Sequence, residues 1–239
     1  MSPLTHIQRI SQPIWFRRAI LTLAGILGLQ ALWILAAEIT RPVLPSVATS
    51  ENAAETASRY RSAATLSAMF GMVRGDLWTG CALTYADLLW SEKPEHADTD
   101  TSKTITPAHD AAKRALRLAP HDAKTWLLLA ALYSRFDWLN GKSSTALRMS
   151  YYTGTNEVEL FPLRILLAAR SDNALADTGL RTFVQRAIRI IITRKPELKP
   201  AIRAAYNDAL PAGRQFIELT LGELDPGLLA SLRSGDERR

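Results

Sequence analysis

From residue 19 to residue 37 the chain reads AILTLAGILGLQALWILAA, nineteen positions without a charged side chain. A helix of that length is about 28 Å long, enough to cross the hydrocarbon core of a bilayer. Trp15, Phe16 and Trp33 lie towards its two ends, where aromatic rings favour the membrane interface. The pattern predicts a transmembrane helix. Arg9, Arg17 and Arg18 precede the run and only Glu38 and Arg41 follow closely, so residues 1–18 are expected in the cytoplasm and the rest outside it. Ala36-Ala37 also fits the small-residue site of a cleavable signal peptide. The apolar run exceeds the roughly 7 to 15 residues of such peptides, which favours a retained anchor. Gln30 is a candidate hydrogen-bonding contact with a neighbouring membrane helix.

Beyond the run the pattern becomes helical and amphipathic. Residues 38–52 contain Pro42 and Pro45 and predict a linker, with Ser50 as cap of the next helix and Glu51 in its first turn. Residues 53–239 are expected to form one helical domain. Leu66, Met69, Phe70 and Val73 recur at i, i+3, i+4 and i+7, a stripe predicted to pack on a neighbouring helix. Leu180, Phe183, Val184, Ala187, Ile188, Ile191 and Ile192 form another, with Gln185, Arg186 and Arg189 opposite. Shorter helices are expected over 197–210, 212–221 and 227–233, the last capped by Asp225 with Pro226 as its first residue. No segment has the alternation of a strand, so the expected fold class is all-α.

Two segments repeat a spacing. Trp78, Cys81, Ala82 and Tyr85 occupy the same offsets as Trp126, Leu129, Ala130 and Tyr133. Ala108, Ala112, Ala115 and Pro120 stand between them. Large aromatic residues supply buried area, and small residues let two antiparallel helices approach closely. Pro120 ends one helix and Asp122 can cap the next. The spacing resembles the tetratricopeptide pattern over residues 75–91 and 107–150, which implies an open solenoid of helix pairs. Residues 91–107, SEKPEHADTDTSKTITP, are expected to be a polar loop inside the first unit. The partner helix of the second unit is expected from about Lys142 to Tyr151 and to end at Gly154.

Composition changes this picture little. The net charge is +6, but Lys and Arg are scattered, so no nucleic-acid partner is expected. Cys81 is alone, which removes intramolecular disulfides and cysteine clusters, and at an apolar repeat position it reads as an inert buried thiol. His6, His96, His109 and His121 form no i, i+4 pair, so no metal site is expected. Gly141-Lys142-Ser143 resembles the end of a phosphate-binding loop, but Phe136 stands where that motif needs glycine and the segment follows a helix. No catalytic residue and no cofactor is nominated.

The segment from Tyr151 to Glu157, YYTGTNE, with the Arg-bearing stretch Pro162-Leu163-Arg164, is similar to a segment of tetratricopeptide-like proteins of bacterial extracellular polysaccharide synthesis and export. That resemblance implies a periplasmic scaffold held in the bacterial inner membrane by one span, with envelope or membrane proteins as partners. Tyr151, Tyr152 and Asn156 are candidate contacts, since aromatic rings stack on sugars and amides hydrogen-bond to them. Arg186 and Arg189 are candidates for meeting an acidic polysaccharide. Core packing of the tyrosines, capping by Asn156 and a solvated arginine face account for the same residues. An accessory structural subunit of another integral membrane complex is the alternative function.

Overall fold

The computed structural model describes residues 14–41, 53–91, 101–135 and 142–236. The cytoplasmic segment 1–13, most of the linker with Ser50, residues 92–100 and the glycine of Gly141-Lys142-Ser143 lie outside the described residues. Among the described residues every regular element is helical.

The first helix, α1 (Ile14–Ile39), extends the apolar run by several residues at its amino end. Its best window has a mean hydropathy of 2.1, and none of that window is buried inside the protein. The helix is therefore long and apolar enough to span a membrane.

Four helices follow: α2 (Ala53–Phe70), α3 (Gly75–Ser91), α4 (Thr101–Leu118) and α5 (Ala123–Arg135). Each packs on the next, and α3 also touches α5. The small residues of the repeat lie at these crossings: Ala82, Ala108, Ala112, Ala115 and Ala130 are completely buried. The two tyrosines play equivalent parts. The Tyr85 hydroxyl lies 3.4 Å from Thr65 Oγ1 on α2, and the Tyr133 hydroxyl lies 3.3 Å from His109 Nε2 on α4. Each reaches back to the helix before its own. The tryptophans differ: Trp126 Nε1 donates to the Pro120 carbonyl at 2.8 Å, whereas the Arg114 guanidinium lies 4.3 Å from the Trp78 ring.

Asp122 does more than cap α5. Its Oδ1 accepts from the Lys124 amide at 3.1 Å, and its Oδ2 accepts from Thr125 Oγ1 at 2.6 Å and from Thr79 Oγ1 on α3 at 2.9 Å. One carboxylate thus holds two helices of different pairs in register. Asp122→Ala should cost about 1 to 2 kcal/mol, the upper range for a lost cap, because the buried hydroxyls of Thr79 and Thr125 lose an acceptor as well. Denaturant unfolding of the full-length protein in detergent micelles measures this.

Two expectations need correction here. Residues 101–107, read as loop, belong to α4. Pro107 lies inside that helix, and Ile105, at 8% exposure, extends the buried Ala108, Ala112, Ala115 stripe one turn upstream. Burial of Ile105 offsets the proline's missing amide hydrogen bond. On α2 and the turn after it, the stripe of Leu66, Met69, Phe70 and Val73 is exposed; the packed face of α2 is Ala64, Ser67 and Ala68. The small side chains bring α2 into close contact with α1 and α3, and the large ones are left outside.

The chain continues through α6 (Lys142–Thr153), a short 3-10 helix (Val158–Leu160), α7 (Phe161–Ala169), α8 (Asp172–Ala176) and α9 (Thr178–Arg194). After a second 3-10 helix (Pro196–Leu198) come α10 (Lys199–Asn207), α11 (Pro211–Leu224) and α12 (Pro226–Asp236). The pair α5 and α6 packs closely. Beyond it the arrangement changes, because α7 touches α5, α6, α8, α9, α10 and α11. Its Phe161, Ile165 and Ala168 are buried in a core shared with Leu180, Ile188, Ile202 and Ile217. This half is gathered around one apolar helix rather than stacked pair on pair. Asp225 caps α12 as the sequence implies, accepting from the Leu228 amide at 3.0 Å. The Lys199 ammonium beside it and that amide hold its carboxyl below the ordinary value.

Candidate functional site

The segment Tyr151–Glu157 forms the joint between the paired helices and the α7 cluster. Gly154 follows the last residue of α6, and only glycine fits there: a Cβ would stand 2.5 Å from the Ala123 Cβ and 2.3 Å from Glu157 Oε1. Arg164, on α7, enters this joint and is completely buried. Its Nε donates to Ser150 Oγ at 2.9 Å, Nη1 to the Gly154 carbonyl at 2.8 Å and Nη2 to the Ser150 carbonyl at 2.5 Å. Ser150 Oγ in turn donates to the Ala123 carbonyl at 2.9 Å. One guanidinium therefore ties α7 to the carboxyl end of α6, and Ser150 ties α6 to the start of α5.

The cation sits at the carboxyl end of α6, where the helix dipole favours positive charge. Burial lowers the pKa of Arg164, but an arginine starts so far above neutrality that it stays charged. Its guanidinium carbon lies 4.7 Å from the centre of the Tyr151 ring, which also stacks on the ring of Phe183 at 5.4 Å. Tyr151 is thus enclosed, and burial raises its hydroxyl pKa. It belongs to the core, not to a contact surface, which corrects its assignment as a candidate contact.

Tyr152 points outward, 59% exposed, with its ring edge-on to Phe183 at 5.3 Å. Arg186, one turn beyond Phe183 on α9, is exposed, as is Arg189. Phe183 therefore joins Tyr152 and Arg186 into one outer face. The amino end of α9 is fixed to α6 by Asp177, whose carboxylate accepts from the Gly179 and Leu180 amides at 2.9 and 3.1 Å and pairs with Arg148 at 2.9 Å. The Leu180 amide first, then that of Gly179 and the Arg148 charge, hold the Asp177 carboxyl below its ordinary value.

Asn156 lies apart from that face. It is exposed and makes no cap; Glu157 stands at the cap position of the following 3-10 helix. Asn156 lines an open depression of about 550 Å³ with Glu157, Glu159, Lys195, Glu197 and Leu198. Three carboxylates against one ammonium make this depression repel a polyanion.

No family model, no curated protein and no solved structure matches the chain. The molecule's own geometry carries the functional reading. Among the described residues no group of three metal-ligating side chains occurs, and Cys81 is buried, its thiol pKa raised by that burial.

A second distinctive region lies where α1 meets the helical body. Ser67 Oγ donates to the Ala37 carbonyl at 2.8 Å, and Trp33 Nε1 donates to the Phe70 carbonyl at 2.7 Å. Beside them Glu38, Arg41, Arg74 and Asp76 form a cluster of two anions and two cations. Arg74 reaches Glu38 at 3.0 Å and Asp76 at 2.6 Å, while Arg41 reaches Glu38 at 3.1 Å and Asp76 at 3.6 Å. Arg74 holds the Asp76 carboxyl below its ordinary value. A charge cluster bridging three elements is not visible as a motif, because its members are 36 residues apart at Glu38 and Arg74.

Proposed function

We propose that this chain is a scaffold of the bacterial inner membrane, anchored by α1 with its amino terminus in the cytoplasm and its helical body in the periplasm. The observation that carries this reading is the joint between α1 and the body. Ala37 is buried, its carbonyl accepts from Ser67, and Arg74 pairs with Glu38. Cleavage at Ala36-Ala37 would strip the buried Ser67 hydroxyl of its acceptor, so the joint supports a retained anchor over a signal peptide. The equivalent roles of Tyr85 and Tyr133 and the buried alanines at the crossings support a tetratricopeptide-like origin for α3 to α6.

The work of such a molecule is to hold partner proteins near membrane machinery, and the sequence likeness points to polysaccharide assembly or export. Its outer face of Tyr152, Arg186 and Arg189 suits a partner that presents sugar rings or acidic groups. The test is an affinity pull-down of the full-length protein from gently solubilised membranes, run beside a variant carrying Tyr152→Ala, Arg186→Glu and Arg189→Glu. Glycan polymerisation or export proteins should be recovered with the native chain and lost with the variant.

The exposed Gln30 amide in α1 favours a second reading, a structural subunit docked through its span. A single stoichiometric complex of another kind, retained by the surface variant and lost when residues 19–37 are replaced with an unrelated apolar helix, would decide for it.

A further inference from the structure

The turn from α2 to α3 leaves large apolar side chains without cover. Met69 is 59% exposed, Met72 58% and Val73 82%, with Leu66 and Phe70 beside them. Isolated apolar residues on a surface need no explanation, but here they are contiguous and sit against α1. Gly71 explains how the turn is built: a Cβ there would stand 2.1 Å from Leu77 Cδ1, so the chain reverses tightly over α3.

The level of this turn along α1 can be read from its contacts. Ala37 meets Ser67, and four residues earlier Trp33 meets Phe70, so α2 runs antiparallel to α1 and descends towards the membrane. Trp33 is about 6 Å deeper than Ala37 along the helix axis, at 1.5 Å per residue. The charges of Glu38, Arg41, Arg74 and Asp76 gather at the upper end, and residues 66–73 carry none. Carbonyls at a helix end have no intrahelical partner, and in hydrocarbon they have no water. At Phe70 the partner is supplied by the Trp33 indole, whose own N–H is satisfied in the same bond. The two rings meet edge-on at 6.2 Å.

We infer that the α2–α3 turn is a membrane wedge, with Met69, Phe70, Met72 and Val73 inserted among the acyl chains of the outer leaflet beside α1. This rests on the reading of α1 as a spanning helix. Insertion of about 5 to 10 Å is usual for interfacial apolar faces, which matches the roughly 6 Å by which Trp33 lies below Ala37 and the charged end of α1. The wedge and the span together give two points of attachment, and the charge cluster lies at the headgroup level. The helical body is thereby held at a fixed tilt instead of swinging on a single helix.

The test uses the full-length protein in phosphatidylcholine and phosphatidylglycerol vesicles. An environment-sensitive fluorophore is placed by Val73→Cys, by Leu27→Cys in α1 and by Thr182→Cys on the exposed side of α9; the buried Cys81 is left in place. Brominated phosphatidylcholine quenches labels in the acyl region, and iodide quenches labels in water. The Val73 label should be blue-shifted, quenched by bromolipid and protected from iodide, as at Leu27 and unlike Thr182. A Val73 label quenched by iodide while the Leu27 label stays in lipid would overturn the wedge and leave the span standing. Protection of the Val73 label from both quenchers would mean a protein surface covers the turn, and would also overturn it. A Leu27 label open to iodide would remove the span itself and the wedge with it. Val73 is so exposed that its replacement leaves the packing untouched.

Discussion

Arg164→Ala should lower the stability of the full-length protein by about 2 to 4 kcal/mol, near the top of the range for single substitutions. Three hydrogen bonds from a charged donor group disappear, and the carbonyls of Ser150 and Gly154 are left facing a void. The void also removes the cation from the face of Tyr151. Part of the cost is offset because the protein no longer desolvates a guanidinium. Arg164→Met separates the contributions: it restores most of the volume and none of the hydrogen bonds. Arg164→Lys restores the charge but not the planar fork, so it should satisfy fewer of the three acceptors and rank between native and alanine. Denaturant midpoints of the three variants in detergent micelles check the order. Stability equal to the native protein in Arg164→Met would mean that packing, not hydrogen bonding, holds the joint.

Arg164 also marks where sequence reading stops. A lone arginine within FPLRILLAA is visible as an anomaly in an apolar helix, but its partners are backbone carbonyls of another helix, which no side-chain pattern announces. The paired tyrosines were legible as aromatic and adjacent. Consecutive helical residues point about 100° apart, so one ring turns into the core and the other out, and periodicity alone does not say which. The alanines at the helix crossings, the Asp122 and Asp225 caps and the apolar run of α1 were legible because each depends on local spacing. The α2 stripe illustrates the opposite case. A helical repeat of Leu66, Met69, Phe70 and Val73 predicts an apolar surface, but the packed face belongs to the smaller Ala64, Ser67 and Ala68, which permit close approach. Volume, not hydrophobicity, decided which side turned inward. The same limit explains α4: Pro107 reads as a boundary, and only the tertiary burial of Ile105 carries the helix past it.

Within α11 the same substitution should act in opposite directions at two glycines. Gly213 is buried at the point where α11 crosses the end of α7, and a Cβ added there would lie 2.1 Å from the Ala169 carbonyl oxygen and 2.9 Å from its Cα. These are backbone atoms at the end of a core helix, so no side chain can rotate aside. The helices must separate, and the bond from the Leu210 amide to that same carbonyl, 3.0 Å long, is strained or lost. Gly213→Ala should therefore destabilise by about 2 to 4 kcal/mol, overpacking combined with a broken hydrogen bond. Gly222, about two and a half turns on, is exposed, and a Cβ there would meet only Leu229 Cδ2 at 3.9 Å. Gly222→Ala should stabilise by about 0.5 to 1 kcal/mol, because alanine loses less backbone entropy than glycine in a helix. Thermal and denaturant unfolding of both variants measures the difference, which no helix propensity can produce because propensity favours alanine at both sites. If Gly213→Ala were neutral, α7 and α11 would have to be free to shift apart. The cluster around α7 would then not be the rigid support that holds α9, and with it Phe183, in place against Tyr152.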